Sequence, residues 1–271
     1  RDLGIDLSTV TGSGEHGQVL HADLDRLLTN GHTPVQRARA DDGVRVEQVR
    51  GLRRKISEKL TAAWTEIPHI TYVDAVDATE LEALRKALNE RGTGPKLTLL
   101  PFIARAVVLA VAEQPTLNAH YDAAAGTLSV FDAVHLGIAT QTDDGLAVPV
   151  VRHTEGMRLS EFATELTRLA EATRANKATR DELSGSSITI TSLGALGGLV
   201  STPILNAPEV AIVGINKMET RPVWRDGAFV PRQMFNISAS FDHRIVDGWD
   251  AATFVQRIRE SLELPALLFT E

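Results

Sequence analysis

The chain has 271 residues, of which 43% are hydrophobic, and it carries a formal net charge of −7 at pH 7. This length allows one large domain, or a large and a small one, and the lack of a dominant basic face argues against nucleic acid as a partner. Because the sequence contains no cysteine, its composition excludes disulfides, thiolate metal ligands and a cysteine nucleophile. No apolar run of about 18 residues and no signal peptide is visible, so we expect no membrane span.

Residues 1–28 are predicted to form a small unit of their own. Residues 2–7 are typical of a helix end followed by a turn, and a loop then leads to a short helix over 22–28 whose leucines share one face. The G-x-G-x-x-G spacing over 12–17 matches a dinucleotide-binding fingerprint. No strand precedes it and no long helix follows, so we reject that interpretation.

A polar stretch of mixed charge over 29–44 predicts a flexible linker. The remainder, 45–271, mixes helical and strand periodicities in irregular order, which indicates an α+β domain with a mixed sheet and packed helices. Helices are predicted over 52–64, from a capping box at 79–82, over about 99–113, over 159–174 with Ser160 as the cap, and over 249–263. Strands are predicted over 69–76, 127–131, 134–140, 145–151, 187–192, 209–216, 222–224, 228–230 and 233–241, with a turn at 142–145.

The most informative stretch, at 240–248, reads S-F-D-H-R-I-V-D-G between a strand and a helix. A histidine at a strand end is suited to act as a general base, because its ordinary pKa lies near neutral pH. Asp247, four residues after His243, can hold the loop or the imidazole in place, and Gly248 lets the chain turn into the helix. A bare H-x-x-x-D is more often a surface pair in a turn, so the surrounding sequence has to decide.

This stretch resembles the active-site signature of dihydrolipoamide acyltransferases, the E2 cores of 2-oxo acid dehydrogenase complexes, and is more distantly similar to chloramphenicol acetyltransferase. Further blocks occur in the family's order: P-H-I-T at 68–71, I-T-I-T-S-L-G at 188–194 followed by two glycines, and P-I-L-N-A-P-E-V-A-I at 203–212. The resemblance implies a chloramphenicol-acetyltransferase-like core over 45–271. Residues 1–28 resemble part of a peripheral subunit-binding domain, the first helix of which would lie mostly before Arg1. Its loop usually carries a basic residue where this chain has Gln18.

The resemblance implies acyl transfer between dihydrolipoyl and coenzyme A without a covalent acyl-enzyme. A base that deprotonates the thiol contributes roughly 10²–10⁴-fold, and a donor to the oxyanion about 10²–10³-fold. The resemblance assigns the base to His243 and the donor to Thr191, with Ser192 as the alternative donor. Asp247 is expected to orient the histidine loop through an ion pair, with Arg53 or Arg54 as the partner. The structural alternatives are a satisfied histidine and a threonine that serves strand packing.

For coenzyme A, the resemblance points to contacts at Arg85, Thr98, Gln141, Thr191 and Ser192. It also implies a homotrimer with an active-site channel between subunits, to which different chains donate the histidine and the hydroxyl. The apolar tail at 264–269 is expected to dock on neighbouring trimers and build a cage, or else to fold back on its own domain. The lipoyl group would be carried on a domain not present in this chain, and E1 or E3 subunits would bind the N-terminal segment.

Along the strand before His243, Asn236, Ser238 and Ser240 alternate with apolar residues, so the polar row is predicted to face one side of the sheet. The row either lines a channel for an amide-rich chain such as pantetheine or faces solvent. The sequence has no G-x-S-x-G elbow, which argues against a serine hydrolase. The eight histidines show no ligand spacing, so no metal site is expected.

The sequence says less about which acyl group is transferred than about the type of reaction. Residues 193–203 and 69–73 look most like branched-chain enzymes, with the acetyl-transferring core of a pyruvate dehydrogenase complex as the alternative. A non-catalytic E3-binding scaffold is a further alternative, against which the histidine signature argues. A third alternative is a free-standing acyltransferase that acts on a small molecule. The N-terminal segment and the linker argue against it, because such an enzyme would need neither. The expected location is the bacterial cytoplasm, with the mitochondrial matrix as the second choice.

Overall fold

A computed structural model of the chain describes residues 5–29 and 43–270. The chain divides into two compact units, Arg1–Gln48 and Val49–Glu271. In the described ranges, no helix is long and apolar enough to cross a membrane.

In its described residues, the first unit is a loop with one short α-helix. Two 3-10 turns, Leu7–Thr9 and Glu15–Gly17, precede helix α1, which spans His21–Thr29. Helix α1 confirms the prediction over 22–28. The helix end predicted over 2–7 falls partly on residues outside the described ranges.

A buried aspartate organises this loop. Asp23 is 4% exposed, and its carboxylate accepts the backbone N–H groups of Leu20 at 3.0 Å and Ser13 at 2.8 Å. These backbone hydrogen bonds lower the pKa of Asp23 to about 2. The carboxylate therefore ties the glycine-containing loop to the start of α1.

The second unit holds the remaining helices and the sheet. The helices are α2 (Gly51–Glu66), α3 (Thr79–Arg91), α4 (Leu100–Glu113), α5 (Leu159–Arg174) and α6 (Gly248–Glu263), each at a predicted position. The strands are β1 (His69–Asp77), β2 (Ala119–Asp122), β3 (Thr127–Val130), β4 (Leu136–Ile138), β5 (Thr140–Thr142), β6 (Gly145–Ala147), β7 (Val150–Val151), β8 (Ile188–Ser192), β9 (Ala211–Ile215), β10 (Glu219–Arg225) and β11 (Ala228–Asp242).

The main sheet is mixed, as predicted. Its order is β1-β11-β9-β8-β4-β7, with β10 paired to β11. The pairs β4–β8 and β8–β9 are parallel, and the other pairs are antiparallel. The strands predicted at 228–230 and 233–241 are one continuous strand, β11, in which Pro231 lies opposite Pro222 of β10.

One face of the sheet carries the hydrophobic core. Phe235, Ile237, Ala239 and Phe241 alternate along β11 and are 0–1% exposed. Phe241 meets Phe254 of α6 edge to face, with ring centroids 6.1 Å apart. This apolar period of two is the pattern from which the strand was predicted.

Two members of the polar row on the opposite face of β11, Ser238 and Ser240, neither line an open channel nor face solvent, which corrects the prediction for them. Ser238 and Ser240 are fully buried. Ser240 shares a hydrogen bond of 2.9 Å with the hydroxyl of Thr71, and Ser238 accepts one of 2.6 Å from Asn216 and one of 3.2 Å from the backbone of Ser201. Because buried hydroxyls need partners, Ser240 links β11 to the neighbouring strand β1, and Ser238 links it to the segments that carry Ser201 and Asn216.

The helix caps differ from the predicted ones. Thr79 is the first residue of α3, not its cap, because the side chain of Asp77 accepts the Thr79 N–H at 3.1 Å and its hydroxyl at 2.6 Å. Helix α5 is capped at Arg158, whose N–H bonds to Glu161 at 2.9 Å, and Ser160 lies inside the helix. In both cases a neighbouring acidic side chain supplies the acceptor that the helix start requires.

The region 134–151 is also more divided than predicted. The turn at 142–145 is confirmed, since Thr142 lies opposite Gly145 in the small β5–β6 sheet. The strand predicted over 145–151 breaks into β6 and β7, and Pro149, which has no N–H, lies between them. The single predicted hairpin is therefore two separate strand pairings, β5–β6 and β4–β7.

The C-terminal tail forms a 3-10 turn, Pro265–Phe269. Leu268 is 2% exposed, whereas Leu264 and Phe269 are each 57% exposed. The tail therefore folds back on its own unit at Leu268 and leaves two apolar side chains at the surface.

Candidate active site

His243 directly follows β11, where its backbone N–H donates to the carbonyl of Pro68 at 2.9 Å. Its Nδ1 lies 3.0 Å from the carbonyl oxygen of Val246. Since a carbonyl oxygen only accepts, Nδ1 of the neutral ring carries the proton, and Nε2 carries the lone pair. The residue is exposed, so the loop holds a basic nitrogen that an external group can reach.

An ion pair braces the residues on either side of this histidine. Asp242 is 2% exposed, and its carboxylate takes a bidentate pair from Arg244, with Nε at 2.9 Å and Nη2 at 2.6 Å. The guanidinium lies over the ring of Tyr121, 4.9 Å from the centroid, and hydrogen bonding to Asp242 raises its pKa. Sequence reasoning gave these side chains no role, although the D-H-R triplet was visible.

Asp247 caps α6 by accepting the N–H of Asp250 at 2.9 Å. The ion pairs among the described residues do not join it to Arg53 or Arg54, and Arg54 pairs with Glu58 at 2.8 Å instead. Within the chain, Asp247 thus holds the end of the histidine loop through the helix start, not through an ion pair.

Thr191 and Ser192 end strand β8. Thr191 is half-buried and lies opposite Gly214 of β9, and in the described part of the chain its hydroxyl makes no hydrogen bond. Ser192 is exposed, and its hydroxyl accepts the N–H of Gly194 at 3.2 Å. The Ser192 hydroxyl is therefore engaged as an acceptor, whereas the Thr191 hydroxyl has no partner in the described part of the chain, and both keep an O–H to donate.

The fold does not bring His243 and Thr191 of one chain together. Thr191 is level with Gly214, which is level with Ser238 of β11. His243 lies five residues further along, and at about 3.4 Å per residue and 4.8 Å per strand the two Cα atoms are roughly 17 Å or more apart. No rotamer of the two side chains closes that distance.

The other residues that the resemblance points to occupy separate places. Arg85 of α3 is bound by Glu82, with Nε at 2.7 Å and Nη2 at 2.9 Å, and Nη1 donates to the carbonyl of Leu97. Hydrogen bonding to Glu82 raises the pKa of Arg85. Leu97 directly precedes Thr98, and Thr98 is exposed shortly before the start of α4.

Gln141 lies nearer to the end of β8. It follows β4, whose Ile138 is in register with Ile190, and Gln141 is exposed on β5. Gln141, Thr191 and Ser192 therefore share one end of the sheet. Among the described residues, no group of three or more acidic or histidine side chains could hold a metal ion.

Comparison with known families gives two matches. Residues 41–270 match the model of the acyltransferase (catalytic) domain of 2-oxoacid dehydrogenases, and residues 1–25 match an E3-binding domain. The whole chain is 53% identical over 279 residues to the lipoamide acyltransferase component of the branched-chain alpha-keto acid dehydrogenase complex of Pseudomonas aeruginosa. It is 32% identical to the acetyltransferase component of the pyruvate dehydrogenase complex of Staphylococcus aureus. The chain spans 65% of the length of the Pseudomonas relative.

Solved structures agree with these matches. A dihydrolipoamide acetyltransferase of Azotobacter vinelandii, studied for the catalytic roles of a serine, a histidine and an asparagine, has a TM-score of 0.78 and 38% identity, covering 83% of this chain and 95% of that one. The cubic core of a pyruvate dehydrogenase multienzyme complex also has a TM-score of 0.78, with 36% identity, covering 88% and 99%. Chloramphenicol acetyltransferase, at 0.51 and 15%, covering 80% and 99%, shares the fold.

Proposed function

The chain belongs to the 2-oxoacid dehydrogenase acyltransferase family, and from this premise we propose that it transfers an acyl group between dihydrolipoyl and coenzyme A. The observation that carries the proposal is His243, whose Nδ1 is engaged by Val246 so that Nε2 is free to accept a proton. In the Azotobacter relative, the serine, histidine and asparagine stand 52 and 4 positions apart. Thr191, His243 and Asp247 stand at the same intervals (191 to 243, and 243 to 247).

The proposed reaction is direct exchange between two thiols. Nε2 of His243 takes the proton from the thiol of coenzyme A, while the sulfur of that thiol attacks the acyl carbon of the dihydrolipoyl thioester. The C–S bond to the lipoyl sulfur then breaks, and His243 returns the proton to that sulfur. The ring ends neutral, and no bond to the protein forms. A positioned base contributes roughly 10²–10⁴-fold to such a step.

The hydroxyl of Thr191 is proposed to donate to the oxyanion of the tetrahedral intermediate, with Ser192 as the alternative donor. The support for Thr191 is its uncommitted hydroxyl and the 52-residue interval. One such donor contributes about 10²–10³-fold. Asp247 is proposed as a positioning residue, because it caps α6 and so holds the far end of the histidine loop.

We propose that neighbouring copies complete the site in a homotrimer. His243 and Thr191 of one chain are too far apart to act on the same carbon, so they have to meet residues of another copy. An apolar patch beside Thr191 supports such a contact, since Leu193, Leu196 and Leu199 are 65%, 91% and 58% exposed and such patches usually mark interfaces. The exposed Leu264 and Phe269 are proposed to dock between trimers in a larger cage.

Coenzyme A is proposed to bind at the end of the sheet that carries Gln141, Thr191 and Ser192. Arg85 is the proposed phosphate partner with Thr98 nearby, since a guanidinium suits phosphate oxygens and Glu82 holds this one in a fixed orientation. The lipoyl group is proposed to be the acyl carrier that enters this site. E1 or E3 subunits are the proposed partners of the N-terminal unit, which is supported by the E3-binding match.

The proposed acyl group is branched, as the 53% identity to the Pseudomonas branched-chain component suggests. An acetyl-transferring core is the second candidate, because the Staphylococcus and Azotobacter relatives are acetyltransferases. The bacterial origin of these relatives supports a bacterial cytoplasmic location. The experiment is acyl transfer between coenzyme A and free dihydrolipoamide with isobutyryl, isovaleryl and acetyl donors. If transfer is fastest with the acetyl donor, the chain is an acetyl-transferring core. If the correctly assembled protein transfers no acyl group, the non-catalytic scaffold is the remaining hypothesis.

The shared site is tested by mixing variants. His243→Ala and Thr191→Ala should each lose about 10²-fold or more of the transfer rate, and their co-assembly should recover measurable activity, because one variant supplies the histidine and the other the hydroxyl. Co-assembly of His243→Ala with His243→Gln is the matched control and should recover none. A verified mixed assembly without recovery would overturn the shared site.

A further inference from the structure

The P-H-I-T block at 68–71 contains a histidine that the proposed reaction does not use. His69 is half-buried at the start of β1 and pairs with Asp242, the residue before His243. One position further along, the N–H of His243 donates to the carbonyl of Pro68 at 2.9 Å. Because Pro68 has no N–H to extend the pairing, the β1–β11 ladder ends with this hydrogen bond. The end of a ladder opens more readily than its middle, so the position of His243 depends on what holds Pro68.

Both ring nitrogens of His69 are engaged, each by a different segment. Nδ1 donates to the carbonyl of Ile67 at 2.8 Å, and Nε2 accepts the N–H of Leu205 at 3.0 Å. A carbonyl oxygen only accepts and a backbone N–H only donates, so these partners select the neutral ring with its proton on Nδ1. Trp64 of α2 lies against the ring, with the two centroids 5.5 Å apart. One side chain thus joins the end of α2, the start of β1 and the segment before β9.

The same two segments also share a small apolar cluster. Ile67 and Leu205 are 7% and 1% exposed, and they pack with Ala63 and Ile212. Apolar contacts are not directional, so this packing by itself leaves the two segments free to slide against each other. The two hydrogen bonds of His69 are directional and fix their relative position.

A first short path leads from His69 to the catalytic loop through the backbone of β1. The hydrogen bond from Nδ1 to the carbonyl of Ile67 fixes the turn over 67–69. The next carbonyl in that turn belongs to Pro68 and is the acceptor for the N–H of His243. The imidazole of His69 therefore sets the direction of the carbonyl that holds the backbone of His243.

A second path reaches the other flank of the loop. The hydrogen bond from Leu205 to Nε2 of His69 holds the segment that continues to Pro208. The carbonyl of Pro208 accepts the N–H of Tyr121 at 3.0 Å, and the ring of Tyr121 lies under the guanidinium of Arg244. The residues on both sides of the catalytic histidine are thus supported by segments that His69 ties together.

We propose that His69 is a positioning residue for acyl transfer, which holds both flanks of the loop so that Nε2 of His243 stays in place for the incoming thiol. This inference rests on the function proposed for His243. Both nitrogens of His69 are occupied within the chain, so it acts through the backbone and not on a substrate. Its loss should therefore lower kcat and leave KM nearly unchanged.

Three variants separate the two hydrogen bonds. His69→Leu removes both of them. His69→Asn places an amide N–H near the position of Nδ1, and His69→Gln places an amide oxygen near that of Nε2, so each keeps one. In transfer between coenzyme A and dihydrolipoamide, His69→Leu should lose about tenfold or more in kcat, with KM within about twofold, and the two amide variants should lose less.

His135→Leu is the matched control. It removes another half-buried imidazole that accepts a backbone N–H, that of His153 at 3.3 Å, at the start of β4. Because β4 does not touch the catalytic loop in the order of the sheet, this variant should keep the wild-type kcat. Circular dichroism of each variant verifies that it is folded.

Hydrogen exchange read by mass spectrometry tests the same role without turnover. In His69→Leu, the amide of His243 within 240–247 should exchange about tenfold or more faster, whereas the buried helix α4 should keep its wild-type protection. Unchanged exchange at 240–247, a loss confined to KM, or faster exchange in α4 as well would each overturn the proposal. If the wild type transfers no acyl group, the proposed function itself fails, and the exchange measurement alone decides whether His69 holds the loop.

Discussion

Glu209 should make the stability of the protein depend on pH in an unusual direction. Burial raises its pKa from the ordinary 4.5 to about 7, so between these values the folded protein holds a proton that the unfolded chain releases. The free energy of unfolding therefore falls as pH rises through this window. This contribution of Glu209 to the stability of the folded protein is fully present below about pH 4.5 and is lost above about pH 7. At 1.36 kcal/mol per pH unit, the difference is on the order of 3 kcal/mol.

The perturbation is Glu209→Gln, which cannot titrate. Urea unfolding of the wild type at about pH 5 and about pH 8 should show a drop in stability that is larger by up to about 3 kcal/mol than the drop in the variant. Only this difference between the two pH profiles is diagnostic, since the glutamine amide also changes the buried hydrogen bonding. Glu171→Gln, which removes an exposed carboxylate from α5, should follow the wild-type profile. Parallel profiles for the wild type and Glu209→Gln would refute the reasoning.

Two further predictions concern the site's supports. Asp242→Asn breaks the bidentate pair with Arg244 and should cost about 3 kcal/mol in urea unfolding, together with a lower transfer rate and little change in KM. A wild-type rate in the folded variant would exclude a positioning role. Gly214→Ala should cost about 1–3 kcal/mol, because its Cβ would lie 2.7 Å from the carbonyl oxygen of Ser238. Gly156→Ala meets open space and is the control, and equal midpoints for the two alanine variants would contradict the crowding argument.

Local pattern was sufficient for most of the secondary structure. The period-two alternation of Phe235 to Phe241 predicted the central strand because one face of it is buried in the core. The caps were less predictable, since Asp77 and Glu161 supply the acceptors from positions that the cap pattern alone did not single out. The serines of the polar row were misjudged because alternation shows which side a residue faces but not what covers that side.

The same limit applies to the candidate site. The motif around His243 pointed to a base on sequence alone, whereas its free Nε2 depends on the carbonyl of Val246, and the brace from Arg244 was assigned no role. Glu209 lies in the quoted P-E-V-A-I block, yet its burial appears only when α2 covers the start of β9.

The sequence by itself determined the residue types that the chemistry needs and the local elements that carry them, because periodicity, turns and motif spacing act over a few neighbouring positions. Only the tertiary structure decided which of those residues meet. The register of β8, β9 and β11 separates Thr191 from His243 by roughly 17 Å or more, so one chain cannot complete the proposed site. Strand order joins residues that are far apart in the chain, and no local pattern encodes that order.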